Sequence, residues 1–478
     1  MSFPQCERMF FFFSPYLNSV LLQSQNYLFM TTQRTPTALG TEKIGTLLMQ
    51  YSVPAIIAMT ASSLYNMVDS IFIGHGVGAM AISGLAISFP LMNLAAAFGS
   101  LVGAGAATLI SVKLGQKDYD TAQRVLGNVV VLNIIIGIFF TLLTLLFLDP
   151  ILYFFGASEQ TIGYARDFMQ IILAGNIVTH LYMGLNATLR AAGHPKKAMM
   201  ATVSTVVINV LLAPLFIFVL GWGIRGAATA TVLAQFFALL WQLKVFSNPN
   251  ELLHFHKGIF RLRKKIVLNS LAIGMSPFMM NLASCLIVIL INHGLKEHGG
   301  DLAIGAYGIV NRLVFLFAMI VMGLNQGMQP IAGYNYGAKL YPRVTEVLKL
   351  TIYGATFVTT TGFLIGMFIP HLATSIFTGD EELIALASQG LSIVVTFFPI
   401  VGFQMVTANF FQSIGMAGKA IFLSLTRQLL FLVPCLIILP QHFGAIGVWS
   451  SMPTADLAAS LVSGFMLWRQ FRKFKKMA

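Results

Sequence analysis

Apolar runs long enough to cross a bilayer follow one another from about residue 46 to residue 468, separated by short polar stretches. A chain built that way folds in lipid. There every backbone N–H and C=O must find its partner within the protein, and continuous helices do this segment by segment. The runs predict spans at 46–74, 80–112, 125–148, 161–188, 199–220, 226–246, 267–293, 303–335, 348–369, 384–412, 420–439 and 446–468. The expected fold is an all-α polytopic membrane protein of twelve transmembrane helices. With 57% hydrophobic and 9% charged residues, an ordinary soluble globule is excluded. Several runs exceed the ~20 residues a crossing needs, so tilt or protrusion is expected.

A net charge of +13 would point to nucleic acid in a soluble protein. Here the cations sit in short loops, so they report membrane orientation and no nucleic-acid partner is expected. With the N-terminus inside, the inner segments hold twenty-four Lys and Arg, while the outer loops hold only Arg225 and Lys296. That bias predicts a multi-pass protein of the cell (inner) membrane with both termini cytoplasmic. Cys6, Cys285 and Cys435 are isolated, which indicates neither a disulfide framework nor a metal site. The chain has no phosphate-binding loop, HExxH or GxSxG, so it is not expected to be an enzyme. Pumping would run on an ion gradient.

The chain also repeats itself. Shifted by 222 residues, Ala81, Ile82, Leu91, Gly105, Gly115 and Lys117 fall on Ala303, Ile304, Leu313, Gly327, Gly337 and Lys339, and Gly193 and Lys197 fall on Gly415 and Lys419. A copied six-span unit keeps its orientation. Two pseudo-symmetric six-helix lobes are therefore expected about an axis along the membrane normal, with a central cavity between them. The expected division is a leader, 1–45, an N-lobe, 46–247, a basic cytoplasmic linker, 248–266, a C-lobe, 267–468, and a basic tail, 469–478. Within the leader, residues 1–29 are hydrophobic but interrupted, and Met30 opens a polar lead-in. Either Met30 is the start and 1–29 a mis-called extension, or 1–29 is a peripheral or extra membrane segment. The linker's HFHKGIFRLRKK stretch is either a segment lying on the anionic inner leaflet or an ordinary basic loop. Glycines clustered in spans two and eight, Gly99, Gly103, Gly105, Gly323 and Gly327, read as helix-packing positions.

The stretch from Gln50 to Gly76 carries a carboxylate, Asp69, well inside a span. A charged side chain at mid-bilayer costs about 2.5–3.5 kcal/mol on insertion scales, and such groups mark ion pathways or pair inside a bundle. Ser62, Tyr65 and Asn66 stand seven, four and three residues before Asp69, which puts all four on one helix face. Pro54 removes a backbone donor upstream and is a candidate hinge. Thr202, Thr205 and Asn209 on the fifth span and Thr229 and Thr231 on the sixth bring polar groups to a similar depth. Asp456, in the last span, is either a structural partner across the C-lobe or a second coupling site. Asn176, His180, Asn311, Gln326 and Met280 are weaker candidates for a substrate cavity, each also readable as an interhelical contact or core residue.

Four segments, NMVDSIFIGHGVGAMAISGL, GLNATLRAAGHPKKAM, INVLLAPLFIF followed by GIRGAATAT, and QSIGMAGKA, resemble the MATE (multidrug and toxic compound extrusion) transporters of bacteria. The resemblance runs from about Thr41 to Trp468. It implies a two-lobed, V-shaped exporter, monomeric, exchanging drugs or organic cations for H+ or Na+ with no other cofactor. It also implies an N-lobe ion site at Asp69, Asn209 and Thr231, beside Tyr65 and Asn66, and a bending proline at Pro54. One departure stands out: many members carry Asp before the fifth-helix proline, where this chain has Ala213. One carboxylate in place of two weakens a Na+ site more than a protonation site. A lipid-linked oligosaccharide flippase, or a passive channel or membrane scaffold, is the alternative reading.

Overall fold

A computed structural model describes residues 38–377 and 380–477, apart from a few side chains within helices. The proposed start at Met30, the 1–29 extension and the side chain of Asn66 lie outside what it describes. The long apolar runs form the helices expected of them. They are α1, Ile44–Gly76; α2, Ala79–Gly115; α3, Tyr119–Leu146; α4, Ile162–Ala174 with Asn176–Ala191; α5, Pro195–Val219; α6, Gly223–Phe246; α7, Lys264–Gly300; α8, Leu302–Gly337; and α9, Tyr341–Phe368. The tenth, α10, is Glu381–Val394 with Phe398–Ser413. Both two-part spans are bent, by 55° in α4 and 57° in α10.

The end of the chain looks like a single helix of 59 residues, Ala417–Lys475. At 1.5 Å per residue that is roughly 88 Å, nearly three hydrocarbon thicknesses. Gly444 breaks it, at φ 58° and ψ −138°, into α11, 417–443, and α12, 445–477. Gly300 divides α7 from α8 in the same way, at φ 68°. Among the described residues, the twelve spans form two lobes of six helices, α1–α6 and α7–α12.

The repeat extends to the backbone. Left-handed φ values recur 222 residues apart at Gly78 and Gly300, Lys117 and Lys339, and Gly193 and Gly415. The lobes meet through the same positions. A Cβ on Gly115 would lie 1.9 Å from the Tyr334 carbonyl oxygen, and one on its repeat mate Gly337 would lie 2.0 Å from the carbonyl of Val112, the mate of Tyr334. On the flanks, an added Cβ would lie 1.9 Å from the Ser270 carbonyl oxygen at Gly105, 1.7 Å from that of Leu101 at Gly274, and 2.6 Å from the Ser52 backbone N at Gly327. The packing role expected of Gly105 and Gly327 is thus a cross-lobe one: α2 against α7, α8 against α1, and α2 against α8, backbone on backbone. These contacts gather where α1 and α7 begin and α2 and α8 end, beside the linker. Phe98 and Phe278 also meet across the lobes, with ring centroids 4.9 Å apart.

The segment leading into each lobe's first helix is seated on the opposite lobe. Ahead of α1, the Leu39 carbonyl accepts from Asn335 Nδ2 at 2.9 Å and from Arg343 Nη2 at 3.1 Å, and the Glu42 carbonyl accepts from Arg343 at 2.6 Å. Ahead of α7, the Arg261 carbonyl accepts from Asn128 Nδ2 at 3.4 Å. Leu39 and Arg261 are again 222 residues apart.

Candidate functional site

Asp69 stands late in α1, one helical turn beyond Tyr65, so both project from the same face. Two N-lobe helices meet that face. On α5, Asn209 lies five residues before Pro214, after which the helix widens into a π-helical stretch, Leu215–Val219. On α6, the hydroxyl of Thr231 donates to the Ala227 carbonyl at 3.1 Å. Having spent its proton there, Thr231 Oγ1 acts as the acceptor for its other neighbours. Asn209 Nδ2 donates to it at 3.0 Å and Tyr65 Oη lies 2.8 Å away, so Tyr65 is the donor in that pair. Asn209 Nδ2 also reaches Tyr65 Oη at 3.3 Å. The side chains of Tyr65, Asn209 and Thr231 thus close a ring of hydrogen bonds across α1, α5 and α6.

That ring offers Asp69 Oδ1 no donor among the described residues. Its side chain is buried, at 7% exposure, and Oδ1 has no hydrogen-bond partner among the described residues. Tyr65, one turn away on the same face, has committed its proton to Thr231. A buried carboxylate in that position is expensive as a bare anion. A proton, or a cation, removes the expense. Ala213 is fully buried in the N-lobe core with Ile73 and Ile217, so no second carboxylate stands at that position. Among the described residues no three His, Cys, Asp or Glu side chains gather as a metal-binding group.

Neighbouring candidates sort themselves by what they touch. Thr229, two residues from Thr231, bonds its own backbone at Arg225 and takes no part in the ring. Thr205 likewise bonds the Ala201 carbonyl, and Thr202 accepts from Tyr182 and Asn186 on α4. Pro54 is buried inside α1, which continues through it as one helix. Asn176 and His180, named as cavity candidates, are enclosed at 1% and 0% exposure. Asn176 donates to the Thr141 hydroxyl on α3, and His180 Nε2 bonds the Ala95 carbonyl on α2 at 2.9 Å. Asn176 Nδ2 and His180 Nε2 thus tie N-lobe helices together, while His180 Nδ1 has no partner among the described residues. Asn311 is exposed on α8 and Met280 is half-buried on α7. Gln326 crosses between lobes, its Nε2 3.3 Å from Met59 Sδ. Near the outer ends, Arg166 pairs with Asp149 through two hydrogen bonds, and Asp167 pairs with Arg225.

Asp456 has a partner that sequence reasoning did not assign to it. Arg427 Nε, on the π-helical stretch of α11, lies 2.5 Å from Asp456 Oδ1 on α12. The C-lobe acid is neutralised in place, whereas Asp69 is not. Breaking an enclosed ion pair from one side costs about 3–5 kcal/mol. Arg427 keeps 31% of its side chain exposed, which moves the expectation to about 3 kcal/mol or below. Asp456→Asn should therefore lower the thermal midpoint of the purified protein clearly more than Asp69→Asn does. Arg427→Met with Asp456→Leu, which removes both charges, should recover most of the loss. A double variant as unstable as the single one would show that the pair is not what Asp456 supplies.

A family model described as MatE matches residues 54–215 and 272–437, one block in each lobe. The chain is similar to the solved structure of the MATE multidrug transporter DinF-BH. That likeness has 34% identity and a TM-score of 0.85, over 92% of this chain and 97% of the other. An outward-facing MATE family transporter of the MOP superfamily superposes with a TM-score of 0.87 at 22% identity, over 94% and 99% of the two chains, a likeness of fold. Among curated proteins, the multidrug export protein MepA of Staphylococcus haemolyticus is 27% identical over 421 residues, 88% of this chain and 92% of that protein.

Proposed function

The chain belongs to the MATE family, and on that premise we propose that it is a secondary active multidrug exporter, driven by proton entry at Asp69. The observation that carries this reading is the buried carboxylate with an unpartnered oxygen beside a closed ring of hydrogen bonds. With Ala213 in place of a second carboxylate, the site is less negative than a two-carboxylate one, which weakens a Na+ site more than a protonation site. The substrates of this reading are bulky, amphipathic organic cations; the relatives MepA and DinF-BH are a multidrug export protein and a multidrug transporter. A single chain supplies both lobes, so a monomer is sufficient.

The mechanism rests on two conformations with different affinities for proton and drug. With the contacts between lobes gathered at the terminus end, the arrangement described above is the one closed on that side. Protonation lowers the cost of enclosing Asp69, and α1, bending at Pro54, then occupies the N-lobe side of the cavity and displaces drug outward. The test is dye or drug flux in proteoliposomes under an imposed pH gradient against an imposed Na+ gradient. Uphill flux driven by pH alone is expected. Flux that follows only the Na+ gradient would reassign the ion, and downhill flux alone would leave a channel.

Both termini are placed in the cytoplasm on the strength of the loop charges, twenty-four cations against two. Single cysteines at Gly156 and Lys196 should accept a membrane-impermeant reagent from opposite sides. Labelling of both from outside would overturn this topology.

A further inference from the structure

The linker lines a recess that lies outside the candidate ion site. α3 fixes its course. Gln123 receives the His254 backbone N–H at 3.3 Å and donates to the His254 carbonyl, and Asn128 receives the N–H of Arg263 at 3.3 Å. The missing side chain of Gly127 lets the Ile259 backbone lie directly on α3, and the Ile259 side chain is buried at 1% exposure. With Ile259 turned inward, its successors turn outward: Phe260 at 43% exposure, Leu262 at 44%, and the exposed Arg261, Arg263, Lys264 and Lys265. Arg124, Gly258, Phe260, Arg261, Leu262 and Arg263 line an open recess of about 820 Å³. Two acids lie close by. Asp120 pairs with Arg124 at 2.8 Å, and Asp118 is held by Lys113 at 3.0 Å. The recess therefore keeps a positive excess on Arg261 and Arg263.

Two large apolar side chains alternating with two guanidiniums, at the level of the first turns of α3 and α7, match the boundary between headgroups and acyl chains. We infer that this recess is a headgroup site for an anionic phospholipid of the leaflet that surrounds the linker end. Arg261 and Arg263 take the phosphate oxygens, as guanidinium forks do, and Phe260 and Leu262 enter the acyl boundary beside them. The side-chain bonds from α3 fix the backbone that carries the arginines before lipid arrives, so only their side chains remain to be ordered on binding. An ordinary basic loop would satisfy the orientation bias without a fixed path or exposed aromatic and aliphatic side chains.

The test uses the full-length protein purified in detergent, with short-chain phosphatidylglycerol and phosphatidylcholine as probes and binding read by native mass spectrometry. Wild type should retain the anionic lipid preferentially. Arg261→Gln with Arg263→Gln should weaken that preference by roughly 30-fold, from about fivefold for each interfacial cation. Phe260→Ser with Leu262→Ser, which keeps every charge, should weaken retention of both lipids. Gln123→Ala, which also keeps every charge, should reduce the anionic preference by releasing the linker. Circular dichroism and size-exclusion profiles confirm folding in each case. Unchanged preference in the arginine variant, or equal retention of the two lipids by wild type, would overturn the inference. Full competition by millimolar inorganic phosphate would also overturn it, by assigning the site to a free anion.

Discussion

Replacing Asp69 with asparagine is expected to bring gradient-driven export down to the level of empty vesicles, with the twelve-helix fold intact. Asparagine keeps the size of the side chain and fixes it in a neutral form. It therefore removes the proton cycle without opening a cavity. Asp69 Oδ1 has no hydrogen-bond partner to lose among the described residues, so thermal stability should hold or rise. Tyr65→Phe is the informative companion. It deletes the hydroxyl that donates to Thr231 and accepts from Asn209, and should weaken pH-driven flux without abolishing it. Full pH-driven export by Asp69→Asn would remove Asp69 from the coupling mechanism. Loss of flux confined to Asp456→Asn would move coupling to the C-lobe, against the neutralisation of that acid by Arg427.

The second large effect belongs to the glycines where the lobes meet. Gly115→Ala and Gly337→Ala each place a methyl group 1.9–2.0 Å from a carbonyl oxygen of the opposing lobe. Backbone cannot step aside as a flexible side chain does, so the helices must separate. Overpacking of this kind costs about 1–3 kcal/mol. The cost falls only on the conformation in which α2 and α8 touch, and a shift of that size changes a two-state population roughly 5- to 150-fold. Each variant should move the population toward opening at the terminus end. The readout is pulsed electron-electron distance measurement between spin labels at Lys196 and Lys419, which are exposed or half-buried beside the loops that end α4 and α10. Because the two glycines seat one crossing, their effects should not add. Unchanged distances in both variants would mean that the crossing does not hold this side shut.

The spans were legible because apolar length is a strong pattern in a chain that must satisfy its backbone within lipid. The repeat was legible because Gly115, Lys117 and Gly193 have mates of the same type. The ring around Tyr65 was only partly so. Thr229 and Thr231 differ by roughly 200° around α6, and which one faces α1 depends on how that helix is rotated in the bundle. Arg427 and Asp456 lie twenty-nine residues apart on separate helices, and no local pattern pairs them. Asn176 and His180 resembled cavity residues because polarity in an apolar helix says that a partner exists, not on which side. The packing glycines were recognisable by spacing, but whether each faced its own lobe or the other was not: Gly103 faces Gly184 within the N-lobe, while Gly105 faces the C-lobe.

The exchanged leaders bear on how the lobes can move. The residues ahead of α1 are held by Asn335 and Arg343 on the C-lobe, and those ahead of α7 by Gln123 and Asn128 on the N-lobe. Each lobe thus grips the lead rope of the other's first helix, as a crossed belt runs between two pulleys. Rocking of one lobe is therefore expected to draw on the first helix of its neighbour, through residues 43–44 on one side and 263–264 on the other. Geared in this way, neither half would turn far alone, and a conformation ajar at both ends is expected to be disfavoured by the routing of the chain itself.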